Sequence, residues 1–269
     1  MKNYLSINSV IPSFNKVLNV PGDKSLSIRW VLLASQAIGK SKAYNLLESE
    51  DVISAIVSMR KLGVEIIKRK NFYEINGVGL SGFRHKNNLN LNAGNSGTFA
   101  RLLCGTLAGN IKNVKVKGDS SLSKRDFSRV VKPLKLFGIN IKTKKDKMPI
   151  IIKGTKNLRP IFYKEEKGSA QVKSAILLAS LNTPGQTIVK SKISRNHTEL
   201  MFKNCLKIPL KLKKYKNYEI IKVEGKTNYK GFDYKIPGDI SSAAFFIALT
   251  ILANKSKLKM KNVNYNKSR

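Results

Sequence analysis

Four short stretches of this 269-residue chain begin alike, and their spacing limits the fold more than any bulk property. Each opens with a glycine turn, continues with polar residues able to cap a helix, and ends in a run of small and apolar residues. The starts are Gly22-Asp23-Lys24-Ser25, Gly94-Asn95-Ser96-Gly97-Thr98, Gly168-Ser169-Ala170-Gln171 and Gly238-Asp239-Ile240-Ser241-Ser242. Their first glycines stand 72, 74 and 70 residues apart (22, 94, 168, 238). Self-similarity at a fixed spacing marks a repeated folding unit. The helices that follow, over 26–38, 99–108, 172–179 and 243–249, are apolar on most sides, so each belongs in an interior.

The unit can be read further. Second helices start near Ser49, Ser121 and Ser194, again 72 and 73 residues apart. Strands are expected at 43–46, 64–67 and 72–75 in the first unit, at 114–116, 139–141 and 150–152 in the second, and at 186–189, 210–212 and 219–223 in the third. With a strand before each glycine turn, the unit is βαβαββ. One or two strands are expected within residues 1–19. Pro133 should kink or break a second helix predicted over 124–137. The fourth unit stops after its turn, its helix and a strand at 257–260. A buried helix needs a sheet and neighbouring helices, and residues 238–269 cannot supply them, so the chain reads as the front part of something longer.

The chain is 42% hydrophobic, enough for a packed core, and its length suits one large domain or two small ones. Its formal charge of +35 invites a polyanionic partner. The lysines are scattered through every segment, however. The runs at 68–70, 142–147 and 211–216 lack interleaved aromatics apart from Tyr215, so no specific nucleic-acid partner is expected. Cys104 and Cys205 give neither a disulfide framework nor metal spacing, and Cys104 in its apolar helix reads as a buried, inert thiol. The first residues lack a signal-peptide core, and the apolar run 241–253 is shorter than the roughly 20 residues a bilayer requires. A cytoplasmic protein is the expectation.

The chemistry gathers at the helix starts. A helix N-terminus offers unbonded N–H groups and a positive dipole end. Asp23 or Ser25 can cap the first helix, and Lys24, Ser25, Ser27 and Arg29 surround its start. Two cations and two hydroxyls there suit a phosphate or carboxylate, although a solvated, capped helix start explains the same residues. Asp51 and Asp239 open further helices, where structural or electrostatic roles are expected. His197 reads as a surface or capping histidine, and His85 as an uninformative residue of a polar loop.

Six motifs in order carry a resemblance. They are Pro21-Gly22-Asp23-Lys24-Ser25-Leu26-Ser27-Ile28-Arg29, Leu91-Asn92-Ala93-Gly94-Asn95-Ser96-Gly97-Thr98 and Gly118-Asp119-Ser120-Ser121-Leu122-Ser123-Lys124-Arg125. Then come Ser169-Ala170-Gln171-Val172-Lys173-Ser174-Ala175, Ser194-Arg195-Asn196-His197-Thr198-Glu199 and Pro237-Gly238-Asp239-Ile240-Ser241-Ser242-Ala243-Ala244. Together they resemble the 3-phosphoshikimate 1-carboxyvinyltransferases, or EPSP synthases. Ile28 departs from that pattern, standing where members often carry a polar residue.

The resemblance implies an α/β protein of two domains, each with three βαβαββ units around a pseudo-threefold axis. Residues 20–237 would form one complete domain, and 1–19 with 238–269 a fragment of the second. It implies transfer of the enolpyruvyl group from phosphoenolpyruvate to the 5-hydroxyl of shikimate 3-phosphate, releasing phosphate, without metal or cofactor. By motif position Lys24 would reach both substrates, acting in catalysis as well as binding. Ser25 and Arg29 would hold the shikimate ligand, and Gly97 and Arg125 would receive phosphoenolpyruvate. Ser169, Ala170, Gln171 and Ser194 would hold the ring and its 3-phosphate, Ala170 through its backbone. The family's general-base aspartate, catalytic lysine and glutamate, and further arginines lie in its second domain. This chain alone is therefore expected to turn over negligibly, as a truncated or split product complemented by a separate polypeptide. The alternatives are a non-catalytic module for phosphorylated ligands, a polyanion-binding protein, and a sister transferase acting on nucleotide sugars. Lys24 to Arg29 and the lack of a plausible reactive cysteine argue against the last.

Overall fold

The computed structural model describes residues 11–268; any strand expected within residues 1–10 lies outside the described residues. The chain opens with β1 (Asn15–Asn19) and then repeats one plan three times. The first unit runs α1 (Lys24–Gln36), β2 (Ile38–Tyr44), α2 (Glu50–Lys61), β3 (Glu65–Lys68) and β4 (Phe72–Val78). The second runs β5 (Leu89–Asn92), α3 (Gly97–Thr106), β6 (Val114–Lys117), α4 (Ser120–Ser123), α5 (Ser128–Leu136), β7 (Asn140–Lys144) and β8 (Lys147–Lys153). The third runs β9 (Phe162–Glu165), α6 (Ala170–Leu181), β10 (Gln186–Lys192), α7 (His197–Asn204), β11 (Leu210–Lys214) and β12 (Tyr218–Glu224). β13 (Tyr234–Lys235), α8 (Ile240–Leu252) and β14 (Lys257–Lys261) follow.

The three sheets share one strand order: β13-β2-β4-β3, β5-β6-β8-β7 and β9-β10-β12-β11. In each, an edge strand runs parallel to the strand after the first helix, and the other two pair antiparallel. The first unit borrows its edge strand. The segment before Gly22 does not supply it; β1 pairs instead with β14 in a separate two-stranded sheet. β13 closes the first unit from the far end of the chain, through Tyr234 opposite Ala43.

The first helices of the units are interior, as their apolar surroundings require. Ile28, Trp30, Val31, Leu32 and Leu33 of α1 are fully buried, as are Phe99, Leu102 and Leu103 of α3 and Ile176 and Leu177 of α6. α3 and α6 approach so closely that a Cβ on Gly105 would lie 2.1 Å from the Ala175 carbonyl oxygen. α8 differs: Phe245, Ile251 and Leu252 are 79, 78 and 82% exposed.

The helix expected over 124–137 is broken, but not at Pro133. The break is the segment 124–127, between α4 and α5, and it carries Arg125. Pro133 is the sixth residue of α5 and deprives only the Arg129 carbonyl of a bond; Arg129 is exposed, so water can serve it.

The first and fourth glycine turns meet. Asp23 N–H donates to the Pro237 carbonyl (2.8 Å), and Asp239 N–H donates to the Pro21 carbonyl (2.9 Å). The chain thus passes twice through one place, directly beneath Lys24.

Candidate functional site

Short polar side chains cap the helix starts as the sequence suggests. Asp23, rather than Ser25, accepts from Leu26 N–H (3.0 Å) to cap α1. Ser96 caps α3 and Ser169 caps α6, accepting from Phe99 N–H and Val172 N–H. Contacts between side chains then link these starts.

At α1, Lys24 Nζ lies 2.6 Å from Asp51 Oδ2 at the start of α2, and the Lys24 side chain remains 47% exposed. Lys24 N–H donates to Asp239 Oδ2 (3.3 Å). Ser27 is not a site hydroxyl. It is buried, donates to the Asp23 carbonyl and accepts from Leu47 N–H.

Arg29 is almost wholly buried. Its Nε donates to Thr198 Oγ1 (2.8 Å), Nη1 to the Ser25 carbonyl (2.9 Å) and Nη2 to Ser174 Oγ (2.9 Å). Thr198 in turn donates to Ser174 (2.8 Å). Two of the five N–H groups of Arg29 thus tie α1 to α6 and α7, and a third is spent on the carbonyl of Ser25 within α1, rather than standing free for a carboxylate. Burial draws its pKa down to about 10, against the pull of Glu199; the guanidinium stays charged.

Immediately before Ser174 in α6, Lys173 lies fully buried between two carboxylates. Its Nζ lies 2.6 Å from Glu199 of α7 and also bridges Glu219 of β12. Burial raises the Glu199 carboxyl pKa above its usual value, and Lys173 opposes that rise.

At α3, a Cβ on Gly97 would sit 3.0 Å from Nη1 of both Arg101 and Arg125. Two guanidinium groups therefore flank a helix start at a residue with no side chain. Arg125 Nη2 donates to Asn95 Oδ1 (3.0 Å). Arg101 Nη1 donates to Gln171 Oε1 (2.8 Å), and Gln171 Nε2 donates to Thr98 Oγ1 (2.9 Å). Burial lowers the Arg101 pKa first, and the like charges of Arg125 and Arg129 lower it further. Such a cluster of cations calls for an anion.

Gln171 thus joins the α6 start to the α3 start, and Arg29 joins α6 and α7 to α1. Ser169 and Ala170, both partly exposed, open α6. Ser194 stands in the loop before α7, with its Oγ buried and bonded to no protein group. Asn196, not Ser194, occupies the N-cap position of α7.

His197 is neither a surface nor a capping residue. It is buried with both ring nitrogens unpartnered, and burial, helped by Arg29 and Arg195, holds its pKa down to about 4. His85 is also buried, its ring nitrogens 2.9 Å from Asn110 Oδ1 and 2.7 Å from the Lys86 carbonyl. Burial pushes the Cys104 thiol up to about 12, so it is inert. Arg101, Lys173, Ser174 and Thr198 escaped the sequence reading. Arg101 and Lys173 had a visible signal: each is a lone cation inside an otherwise apolar run. Among the described residues no group of three His, Cys, Asp or Glu side chains is placed to hold a metal, and no helix is long and apolar enough to cross a membrane.

Comparison with known proteins agrees with this architecture. The family model for EPSP synthase (3-phosphoshikimate 1-carboxyvinyltransferase) matches residues 11–269. A 3-phosphoshikimate 1-carboxyvinyltransferase of Streptococcus mutans is 41% identical over 258 residues, covering 94% of this chain and 58% of the relative. One from Streptococcus suis is 39% identical over 271 residues, covering 98% of this chain and 62% of the relative. A solved EPSP synthase structure from Acinetobacter baumannii superposes with a TM-score of 0.86 at 36% identity, covering 97% of this chain and 59% of that one. The chain spans about three fifths of the length of the relatives it matches. With its repeated βαβαββ units and six ordered motifs, the chain belongs to the EPSP synthase family.

Proposed function

We propose that this chain supplies one substrate-binding half of an enolpyruvyl transferase. The enolpyruvyl group of phosphoenolpyruvate passes to the 5-hydroxyl of shikimate 3-phosphate, and phosphate leaves. The observation that carries the reading is the α3 start, where Gly97 lies between the guanidinium groups of Arg101 and Arg125. A phosphate or carboxylate can approach the backbone N–H groups there because no Cβ intrudes.

In this reading Arg125, Gly97 and Lys24 receive phosphoenolpyruvate. Lys24, Ser25, Arg29, Ser169, Ala170, Gln171 and Ser194 hold shikimate 3-phosphate. The unpartnered Ser194 Oγ supports its share, since a buried hydroxyl without a partner is unfavourable until something bonds it. Arg29 acts mainly by fixing α1 against α6 and α7, and meets the ligand with its remaining N–H groups. The residues of this chain bind, orient and neutralise. Proton transfer would fall to groups outside it, each of which typically contributes a factor of about 10²–10⁴.

We further place residues 20–237 in one domain and 1–19 with 238–269 in another. The separate β1–β14 sheet supports this division. The exposed apolar residues of α8 support a covering segment, in the same polypeptide or in a separate one. Two unpaired cysteines suit a cytoplasmic setting.

Shikimate 3-phosphate should raise the melting temperature of the chain, and Lys24→Ala should abolish the rise. Phosphate release from both substrates should be negligible for the chain alone. It should appear when a polypeptide matching the remaining part of the Streptococcus mutans relative is added. Rapid release by the chain alone, or no ligand effect on melting even in the mixture, would overturn the reading.

A further inference from the structure

The three sheets share one plan, so their outward faces serve as controls for one another. Differences between the faces are not demanded by the fold. On the first, Lys42 of β2 lies 5.4 Å from the Phe72 ring, which contacts Tyr44. Lys42 also stands opposite Glu74 of β4, and Lys40 shares a row with Glu65 of β3, so acids offset the cations. On the second, Lys115, Lys142, Lys144 and Lys153 face outward, and no strand of that sheet holds an aromatic residue.

The third face also combines cations with rings, but no acid stands in its central rows. Strand pairing sets Phe162, Ile188, Lys222 and Lys211 in one row across the four strands, and Lys164, Lys190, Ile220 and Lys213 in the next. Lys192 and Tyr218 follow in a third row. There the Tyr215 ring stacks on that of Tyr218, with centroids 4.4 Å apart and planes 13° apart. Lys190 Nζ lies 4.3 Å from the Tyr218 centroid, and Lys213 Nζ 5.3 Å from that of Tyr215. Phe162 is 64% exposed. Acids stand at the margins: Glu224 opposite Gln186 at one end, and Glu166 at 2.8 Å from Lys164. A groove of about 410 Å³ at the Tyr218 end is lined by Lys164, Lys190, Lys192 and Tyr218, with Glu165 and Glu166 also on its wall.

We propose that this face docks single-stranded nucleic acid without reading its sequence. The lysine rows track a phosphate backbone, and the rings give unpaired bases a surface on which to stack. An exposed lysine–ring contact is weaker than a base–ring stack, so an arriving base displaces the ammonium and the ammonium moves to a phosphate. A duplex hides its base faces and offers this surface only its phosphates, so single strands are preferred. The net charge of +35 supplies the long-range attraction. The lysine run 211–216 could not show this, because Phe162 and Tyr218 reach the face from other strands. α6 packs on the opposite side of β10 and β12, so the lysine rows lie away from the helix starts; only the groove end reaches them, where Glu165 accepts from Ser169 N–H (2.9 Å).

The test is fluorescence anisotropy with a labelled oligouridylate of about twelve nucleotides, within the range of single-strand site sizes. Binding should weaken steeply with salt. Phe162→Ala with Tyr218→Ala should weaken it about tenfold or more while leaving the salt slope nearly unchanged. Lys190→Gln, Lys192→Gln and Lys222→Gln together should flatten the slope by roughly two. Lys115→Gln, Lys142→Gln and Lys144→Gln, on the ring-free second face, should change affinity by less than about twofold. Unchanged melting temperatures would show that each variant folds. Equal losses from the two lysine triples, equal affinity for duplex DNA, or parent-like binding by the ring variant would overturn the proposal.

Discussion

Lys173 offers the sharpest test of how the helix starts are held. Its ammonium is fully buried between Glu199 and Glu219, which are 3% and 1% exposed. Lys173→Met keeps the length of the stem but leaves two carboxylates without their cation. Breaking a buried ion pair by removing one partner costs about 3–5 kcal/mol. At roughly 2–4 °C per kcal/mol for a protein near this size, the melting temperature should fall by roughly 6–20 °C. The loss should shrink on acidification. A carboxyl whose folded pKa lies above its unfolded value is stable below the unfolded pKa and loses that stability as pH rises through the folded one. Glu199 is already raised with Lys173 in place, and removing Lys173 raises it further. Adding Glu199→Gln and Glu219→Gln to the variant removes the stranded charges and should recover at least half of the loss. Thermal unfolding followed by circular dichroism at several pH values measures all of this. A cost below about 1 kcal/mol, or a triple variant no more stable than the single, would refute the account of Lys173 as the cation that holds α6, α7 and β12 together.

His197 should make the protein acid-sensitive. Its folded pKa of about 4 lies below the unfolded value near 6.5, so the unfolded state takes up the proton first as pH falls through that window. Up to ~3 kcal/mol should be lost there, and His197→Gln should flatten that part of the melting profile; an unchanged profile would exclude His197 as the source. Gly97→Ala should weaken phosphoenolpyruvate binding ~10–100-fold, because the Cβ crowds Nη1 of both Arg101 and Arg125 at 3.0 Å. Calorimetry on the complemented protein measures this, and parent-like affinity counts against an anion at Gly97. Gly105→Ala should cost roughly 3 kcal/mol, since a Cβ placed 2.1 Å from the Ala175 carbonyl oxygen must force α3 and α6 apart; an unshifted melting temperature would mean that the helices separate freely.

Local signals were legible in the sequence. The three units and their second helices follow from glycine turns, capping residues and short apolar alternations, all readable within a few residues. Asp23, Ser96 and Ser169 cap helices where the pattern placed caps. What depends on distant partners was not legible. Arg29 makes its bonds to Ser174 and Thr198, 145 and 169 positions away, and nothing near it announces them. β13 is two residues long, too short for any periodic signal, yet it closes the first sheet. The break falls at 124–127 and not at Pro133, because the ring removes only one bond whereas Phe127 N–H is drawn to the distant carbonyl of Asp146 (2.8 Å). His197 was misjudged because its burial comes from the fold around it, not from its polar neighbours in sequence.

Gln171, Arg29 and Arg101 tie the helix starts of the three units to one another at their centre, above the apolar core that the units share. A ligand seated there would act as a non-covalent staple across all of them. Its effect on stability, RT ln(1 + [L]/Kd), would then fall on the unfolding of the assembled units as a set rather than on any one of them. Amide exchange should slow together in α1, α3 and α6 on saturation, so the substrate would set how cooperatively this protein comes apart.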